Sequence, residues 1–155
     1  MNEFKFSSSG IKNVNFGKRV KVIKPCNLYD CVLADDVFVG PFVEIQSDVE
    51  VGANSRIQSH SFVCSFVTIG KNCFVGHGVM FINDNFSHGS PAGGDQTKWK
   101  KTFLGDNVSI GSNSTILPVK ICNNVVIGAG SVVTKDIKES GIYSGNPAKF
   151  MKKIK

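Results

Sequence analysis

Three histidines, His60, His77 and His88, are the side chains here best suited to exchange a proton near neutral pH. They are 17 and 11 residues apart with no HxxxxH pair, so the spacing does not bring three imidazoles around one zinc ion. His77 lies in the stretch VGHGVMFIND, which ends on Asn83 and Asp84. An imidazole can take a proton from a reacting amine, and a nearby amide can hold a polar substrate. The same residue types also suit solvated turns, since asparagine tolerates a left-handed φ. His88, beside Gly89 and Pro91, reads as a surface residue of an irregular stretch.

The elements that must position these groups follow a period of six. Counting from Leu33 gives Val39, Ile45, Val51, Ile57, Val63, Ile69, Val75 and Phe81, every one apolar. Four places after each lead residue the chain is again small or apolar: Val37, Val43, Val49, Ser55, Ser61, Val67, Cys73, Val79. A helix repeats every 3.6 residues and a strand every two, so neither alone gives six. A short strand followed by a tight corner does, as in a solenoid whose coils bury apolar side chains only against neighbouring coils. The beat extends back through Leu28, Val22 and Phe16 with one spacing of five. It stops after Phe81, resumes at Leu104, Ile110 and Ile116, slips by one, and ends at Ile121, Ile127 and Val133.

This predicts an all-β, parallel β-helix in one domain of 155 residues. Its parts are a lead-in (1–15), coils (16–82), an excursion loop (83–103), further coils (104–138) and a tail (139–155) with a short helix begun by Asn146-Pro147. A structureless stretch as long as 83–103 is usually functional, and a solenoid with flat faces needs such a loop to cover a groove.

Composition narrows the class. No apolar run is long enough to span a bilayer. Met1-Asn2-Glu3 lacks the basic start of a secretion signal, so a cytoplasmic protein is expected. Five cysteines, without a CxxC pair, fit a reducing compartment. The net charge of +6 is scattered except at Lys98–Lys101 and Lys149–Lys155, clusters that suit a phosphate-bearing small molecule at least as well as a nucleic acid.

IGAGSVVTKDI together with SGNPAK resembles the ending of the left-handed β-helix acyltransferases, and GPFVEIQ, SHSFV and GHGVMFIND resemble the branch that N-acetylates nucleotide-linked amino sugars. The resemblance covers the chain from about Phe16. It implies a left-handed coil, acetyl-CoA as co-substrate without a metal, and a homotrimer with active sites between subunits and no membrane association. A role in surface polysaccharide or lipopolysaccharide O-antigen synthesis goes with it.

Three hexads then make a coil, and residues about 18 apart stack. His60 and His77 fall on one corner of adjacent coils, with Ser112-Asn113 and then Ala129-Gly130 above. On this reading His77 is the base or positioning group, Asn83 bonds the amino sugar near its nitrogen, and His60 orients or touches the sugar. Glu44 and Asp84 orient a histidine or bind the amine. Lys98 serves substrate phosphate, while Trp99 either stacks on a base or pins the loop to a neighbouring subunit. Gly111, Ser112, Ala129 and Gly130 clear room for pantetheine, with Lys135, Pro147 and Lys149 toward the phosphates.

Three features depart from the family pattern. Ala34 replaces a usual glycine, no arginine follows Ile-Asn-Asp, and no glycine separates Pro118 from Val119. Sugar O-acetylation of the maltose or galactoside type is the alternative. A γ-type carbonic anhydrase fits poorly without a close histidine pair, and an ice-binding or scaffolding solenoid would lack the loop. Serine acetylation is disfavoured because no helical segment precedes the coils.

Overall fold

The computed structural model describes residues 10–154. Two- to four-residue strands stack in parallel into three sheets, which form the faces of a triangular solenoid. Face A runs upward through Ile11–Lys12, Asn27–Tyr29, Glu44–Ile45, Phe62–Val63, Met80–Phe81, Thr115–Ile116 and Val132–Val133. Face B holds Asn15–Phe16, Val32–Leu33, Glu50–Val51, Val67–Ile69, Thr102–Leu104 and Lys120–Ile121. Face C holds Lys21–Val22, Phe38–Val39, Arg56–Ile57, Phe74–Val75, Ser109–Ile110 and Val125–Ile127.

From Val32–Leu33 up to Val132–Val133 the last residue of each strand points inward. Leu33, Val39, Ile45, Ile57, Val63, Ile69, Val75 and Phe81 are all buried. The residue four places on is also buried, including Ser55 and Ser61. These two hydroxyls donate to the carbonyls of Gly70 and Gly76, both at 2.8 Å, so the core carries no unsatisfied side-chain polar atom among the described residues. Each of these inward residues pairs with another apolar residue one coil away, as Val75 with Ile57 and Ile110.

Each corner needs a left-handed residue. From Asp30 to Gly78 the positive φ recurs at every sixth position, and six of those nine corners are Asp, Asn or Gly. These types accept that conformation at least cost. The exceptions are Phe42, His60 and Phe66.

Departures from the period of six are confined to one edge. Between faces B and C, and between C and A, successive inward residues are six apart throughout: Leu33 to Val39, Val39 to Ile45, Ile121 to Ile127, Ile127 to Val133. Between A and B the steps shorten or lengthen. Leu28 to Leu33 is five, Ile116 to Ile121 is five, and Phe81 to Leu104 encloses the whole excursion. Leu104 nevertheless pairs with Ile69, and Ile110 with Val75, as the spacing predicts. The loop leaves and returns without shifting the ladder.

Two expectations need correction. The lead-in is shorter than residues 1–15, because Ile11 pairs with Leu28 and Phe16 with Leu33; residues 1–9 lie outside the described residues. The C-terminal segment is not helical. Gly141–Ser144 adds to face C beside Val125–Ile127, and Lys149–Lys152 returns antiparallel to it. Phe150 packs edge-on against Tyr143 at 5.5 Å. The open edge of face C offers backbone partners along a whole strand, whereas a helix this short leaves most of its end groups unpaired.

An inserted residue should therefore be tolerated according to edge. One glycine between Pro118 and Val119, restoring six, is expected to cost under ~1 kcal/mol in urea unfolding; one between Gly76 and His77 should cost more than ~3 kcal/mol. Equal costs would show that the A/B edge has no special freedom.

Candidate active site

His77 lies on the C/A edge, just after the strand Phe74–Val75. Its Nδ1 is 2.8 Å from Ser59 Oγ, one coil below. When Ser59 accepts from Nδ1–H, Nε2 keeps its lone pair and becomes the basic atom. The peptide preceding His77 is fixed from inside, since buried Ser61 donates to the Gly76 carbonyl. Gly76 itself is required, because a Cβ there would meet Ile110 O at 2.7 Å. The imidazole is exposed.

Above His77 the column continues as expected. Asn113 N–H donates to His77 O at 2.8 Å, and Gly130 N–H donates to Ser112 O at 2.8 Å. Gly111 is packed beneath Ala129 so closely that no side chain fits, which makes it a requirement of coil stacking. Gly130 has φ +67° with open space where a side chain would be. Buried Ser114 and Ser131 both donate to Gly128 O, holding this stretch of the edge. The turn 145–148 closes the top, with Ala148 N–H donating to Val132 O and Gly145 N–H to Ser131 Oγ. Pro147 and Lys149 therefore join Gly111, Ser112, Ala129 and Gly130 on one edge. Lys135 does not; it follows Val133 on the opposite, A/B edge.

His60 shares the corner but forms neither a hydrogen bond nor a ring stack with His77. It stacks on Phe42 below, with centroids 4.8 Å apart and planes 14° from parallel. The partner of His77 is Ser59, eighteen residues back, and this interval is the signal that would have identified it. Glu44 makes no hydrogen bond to a histidine among the described residues. It lies on face A and accepts from Gln46 Nε2 at 2.9 Å.

Asn83 sits across face A from His77, at the A/B edge. Its Nδ2 donates to Ser65 O at 3.2 Å, and its carbonyl accepts from Lys100 N–H, closing the neck of the excursion. Asp84 braces that loop, accepting from Phe86 N–H at 2.9 Å and Ala92 N–H at 2.7 Å. Asp95 caps the short turn Gln96–Lys98 and lies 3.6 Å from Lys98. Hydrogen bonds from Thr97 hold the Asp95 carboxyl below its ordinary value. Trp99 packs on Phe66 of its own chain, centroids 6.2 Å apart. His88 is exposed in the loop.

Among the described residues no group of His, Cys, Asp or Glu could hold a metal ion, and no helix is long and apolar enough to cross a membrane. Burial pushes the Cys31 thiol up to about 11 and Cys64 to about 12. A cleft of about 660 Å³ lies on face B around Phe103, Lys120 and Asp136. It is remote from the His77 edge and includes none of the residues selected from sequence.

With this geometry in view, the similarities to known proteins become specific. The family described as "Bacterial transferase hexapeptide (six repeats)" matches residues 30–65, and "Hexapeptide repeat of succinyl-transferase" matches 66–80 and 102–135. The chain belongs to the hexapeptide-repeat transferases. The gap between the matched segments is the excursion loop. The solenoid is accordingly of the left-handed type.

Among curated relatives, the bifunctional protein GlmU of Trichodesmium erythraeum is 31% identical over 92% of this chain and 32% of its own length. The chain thus spans about a third of the length of the curated relatives it matches. A maltose O-acetyltransferase from Clostridium difficile 630 is 25% identical, covering 91% of this chain and 70% of its own, with a TM-score of 0.57. A hexapeptide-repeat acetyltransferase from Vibrio cholerae, solved with acetyl coenzyme A, shares the fold at 20% identity and a TM-score of 0.69, over 81% of this chain and 72% of its own.

Two measurements check this description. Asp84→Ala should raise the rate of proteolytic cleavage in the loop about tenfold through loss of two hydrogen bonds; an unchanged rate would mean that Asp84 does not brace it. In the native protein a thiol reagent should label Cys26 and Cys122 readily and the buried Cys31, Cys64 and Cys73 only on unfolding.

Proposed function

We propose that the protein is an acetyl-CoA-dependent N-acetyltransferase acting on the amine of a nucleotide-linked amino sugar. The observation that carries this reading is the Ser59–His77 pair at the foot of a column of small residues. The thioester extends along Ser112, Ala129 and Gly130 toward the turn at Pro147 and Lys149, so its acyl carbon comes down to His77. Membership of the transferase family supports acyl transfer, and the Vibrio cholerae likeness supports coenzyme A as the donor.

The amine nitrogen attacks the thioester carbonyl. A C–N bond forms, the C–S bond breaks, the nitrogen's proton passes to His77 Nε2, and the leaving thiolate finally takes it. Ser112 N–H makes no hydrogen bond among the described residues and is free to stabilise the oxyanion. Ser59 holds the imidazole in the tautomer this requires.

His77 and Asn83 occupy opposite edges of face A on one coil, separated by the strand Met80–Phe81. Neither can serve the other's ligand without crossing that face. A threefold assembly, in which an edge of one subunit meets the loop of the next, brings the two kinds of edge together. The outward Phe62, Met80 and Val132 give face A an apolar surface to bury in that contact. Such an enzyme belongs in the synthesis of surface polysaccharide. The likeness to a maltose O-acetyltransferase favours one other reading, transfer to a sugar hydroxyl.

Thiol release from acetyl-CoA, followed across a panel of dTDP- and UDP-linked amino sugars and plain sugars, separates the two. Turnover is expected with a nucleotide-linked amine; activity confined to plain sugars would establish O-acetylation instead. His77→Ala should lower kcat by about 10²–10⁴-fold. Ser59→Ala should lower kcat about tenfold with KM little changed, because it removes one orienting hydrogen bond. A His77→Ala protein as active as the parent would remove the base from this scheme.

A further inference from the structure

Below His77 the same edge carries side chains that catalysis does not explain. Most corners take Asp, Asn or Gly, and Phe66 at the A/B edge packs against Trp99, yet this edge places Phe42 at φ +59° and His60 at φ +63°, one above the other. A bulky residue in the left-handed region is an outlier, and such outliers persist where function favours them. The Phe42 ring is not buried in compensation: the residue is 58% exposed. Its contact with His60 makes a two-ring stack open to solvent. The next corner up is Gly78, so no third ring of the protein continues the ladder.

Against Phe42 lies a cavity of about 340 Å³, lined also by Pro25, Cys26, Asn27, Val43 and Glu44. It combines an aromatic face with hydrogen-bonding edges. Asn27 supplies an amide. Glu44 has one oxygen engaged by Gln46, and the other takes no hydrogen bond among the described residues. A planar ring that bears an N–H matches both features: the ring stacks on Phe42, and the N–H donates to Glu44.

We infer that this cavity is the base-binding site for the acceptor's nucleotide, with Phe42 as the stacking platform, His60 as its backing, and Glu44 reading a ring N–H such as that of uracil or thymine. This rests on the N-acetyltransferase reading above and specifies where its acceptor binds. Direction along the axis decides between the two nucleobases in the reaction. The column of small residues for coenzyme A rises from His77 toward the C-terminal turn, whereas Phe42 lies two coils the other way. At ~4.8 Å per coil, the interval of about 10 Å from His77 to Phe42 is left for the sugar and diphosphate. The His60 imidazole, halfway along, provides an N–H donor at the level the phosphates cross. The strain at residue 42 is then the cost of presenting a flat apolar surface where the repeat would otherwise place an asparagine.

The test is Phe42→Asn, which installs the residue type used at other corners and so keeps the fold. Binding of UDP, dTDP and coenzyme A, each alone, is measured by calorimetry on parent and variant, together with urea unfolding. The inference expects UDP or dTDP to bind the parent and to bind the variant about tenfold more weakly, as loss of a base–aromatic stack implies. Coenzyme A affinity should be unchanged, with stability equal or higher; a Phe with only a structural role would give lower stability and intact nucleotide affinity. In turnover, KM for the nucleotide sugar should rise with kcat nearly constant. Equal nucleotide affinity in parent and variant overturns the inference while leaving the N-acetyltransferase reading in place. Loss of coenzyme A affinity instead assigns the platform to the coenzyme's adenine and also overturns it. A parent that binds neither nucleotide overturns it too, and the sugar panel then reports separately whether the N-acetyltransferase reading stands.

Discussion

Parallel pairing in fixed register ties every outward side chain of this protein to the one a coil above and the one a coil below. No coil can bury its apolar side alone, so stability is a sum of contacts between neighbours, and register is set by which residues point inward. The inward ladder of Leu, Ile, Val and Phe admits no slip of a single residue, because that would turn the core outward. An active site on such a scaffold has little depth. It gains precision instead, since Ser59, His77, Ser112 and Ala129 are held in sequence along one edge by the same backbone bonds that hold the core.

That rigidity is distributed unequally. Two edges keep six residues per side from bottom to top, and one of them carries His77. The third edge absorbs every shortened step and the whole excursion. Variation is concentrated where it does not disturb the stacked groups. The loop itself is closed by Asn83 and Lys100, braced by Asp84 and packed through Trp99 on Phe66, so it stands as a formed projection. Trp99 contacts its own chain here.

Serines inside the prism complete the arrangement. Ser61, Ser114 and Ser131 occupy positions where valine would fill the core equally well, and each gives a hydrogen bond to a carbonyl on the His77 edge. A buried hydroxyl is tolerated only when paired, and here the pairing fixes the peptides that present the candidate residues.

The hexad alone determined the fold, the register and the column above His77, because a period of six with glycine and asparagine at the bends has one economical solution. Ile69 beneath Leu104 and Val75 beneath Ile110 were legible across an excursion of more than twenty residues for the same reason. The C-terminal hairpin was not legible, since Asn-Pro followed by apolar residues also describes a helix start, and only the open edge of face C selects a strand. Nor were the partners of the candidate residues. An interval of 17 put His60 and His77 on one corner, but tertiary stacking gave His77 to Ser59 and His60 to Phe42, bonded Glu44 to Gln46, and set Lys135 on the far edge. Sequence periodicity names the edge a residue occupies; which atom meets which depends on the single-residue offset at each corner, and that is decided only when the coils close on one another.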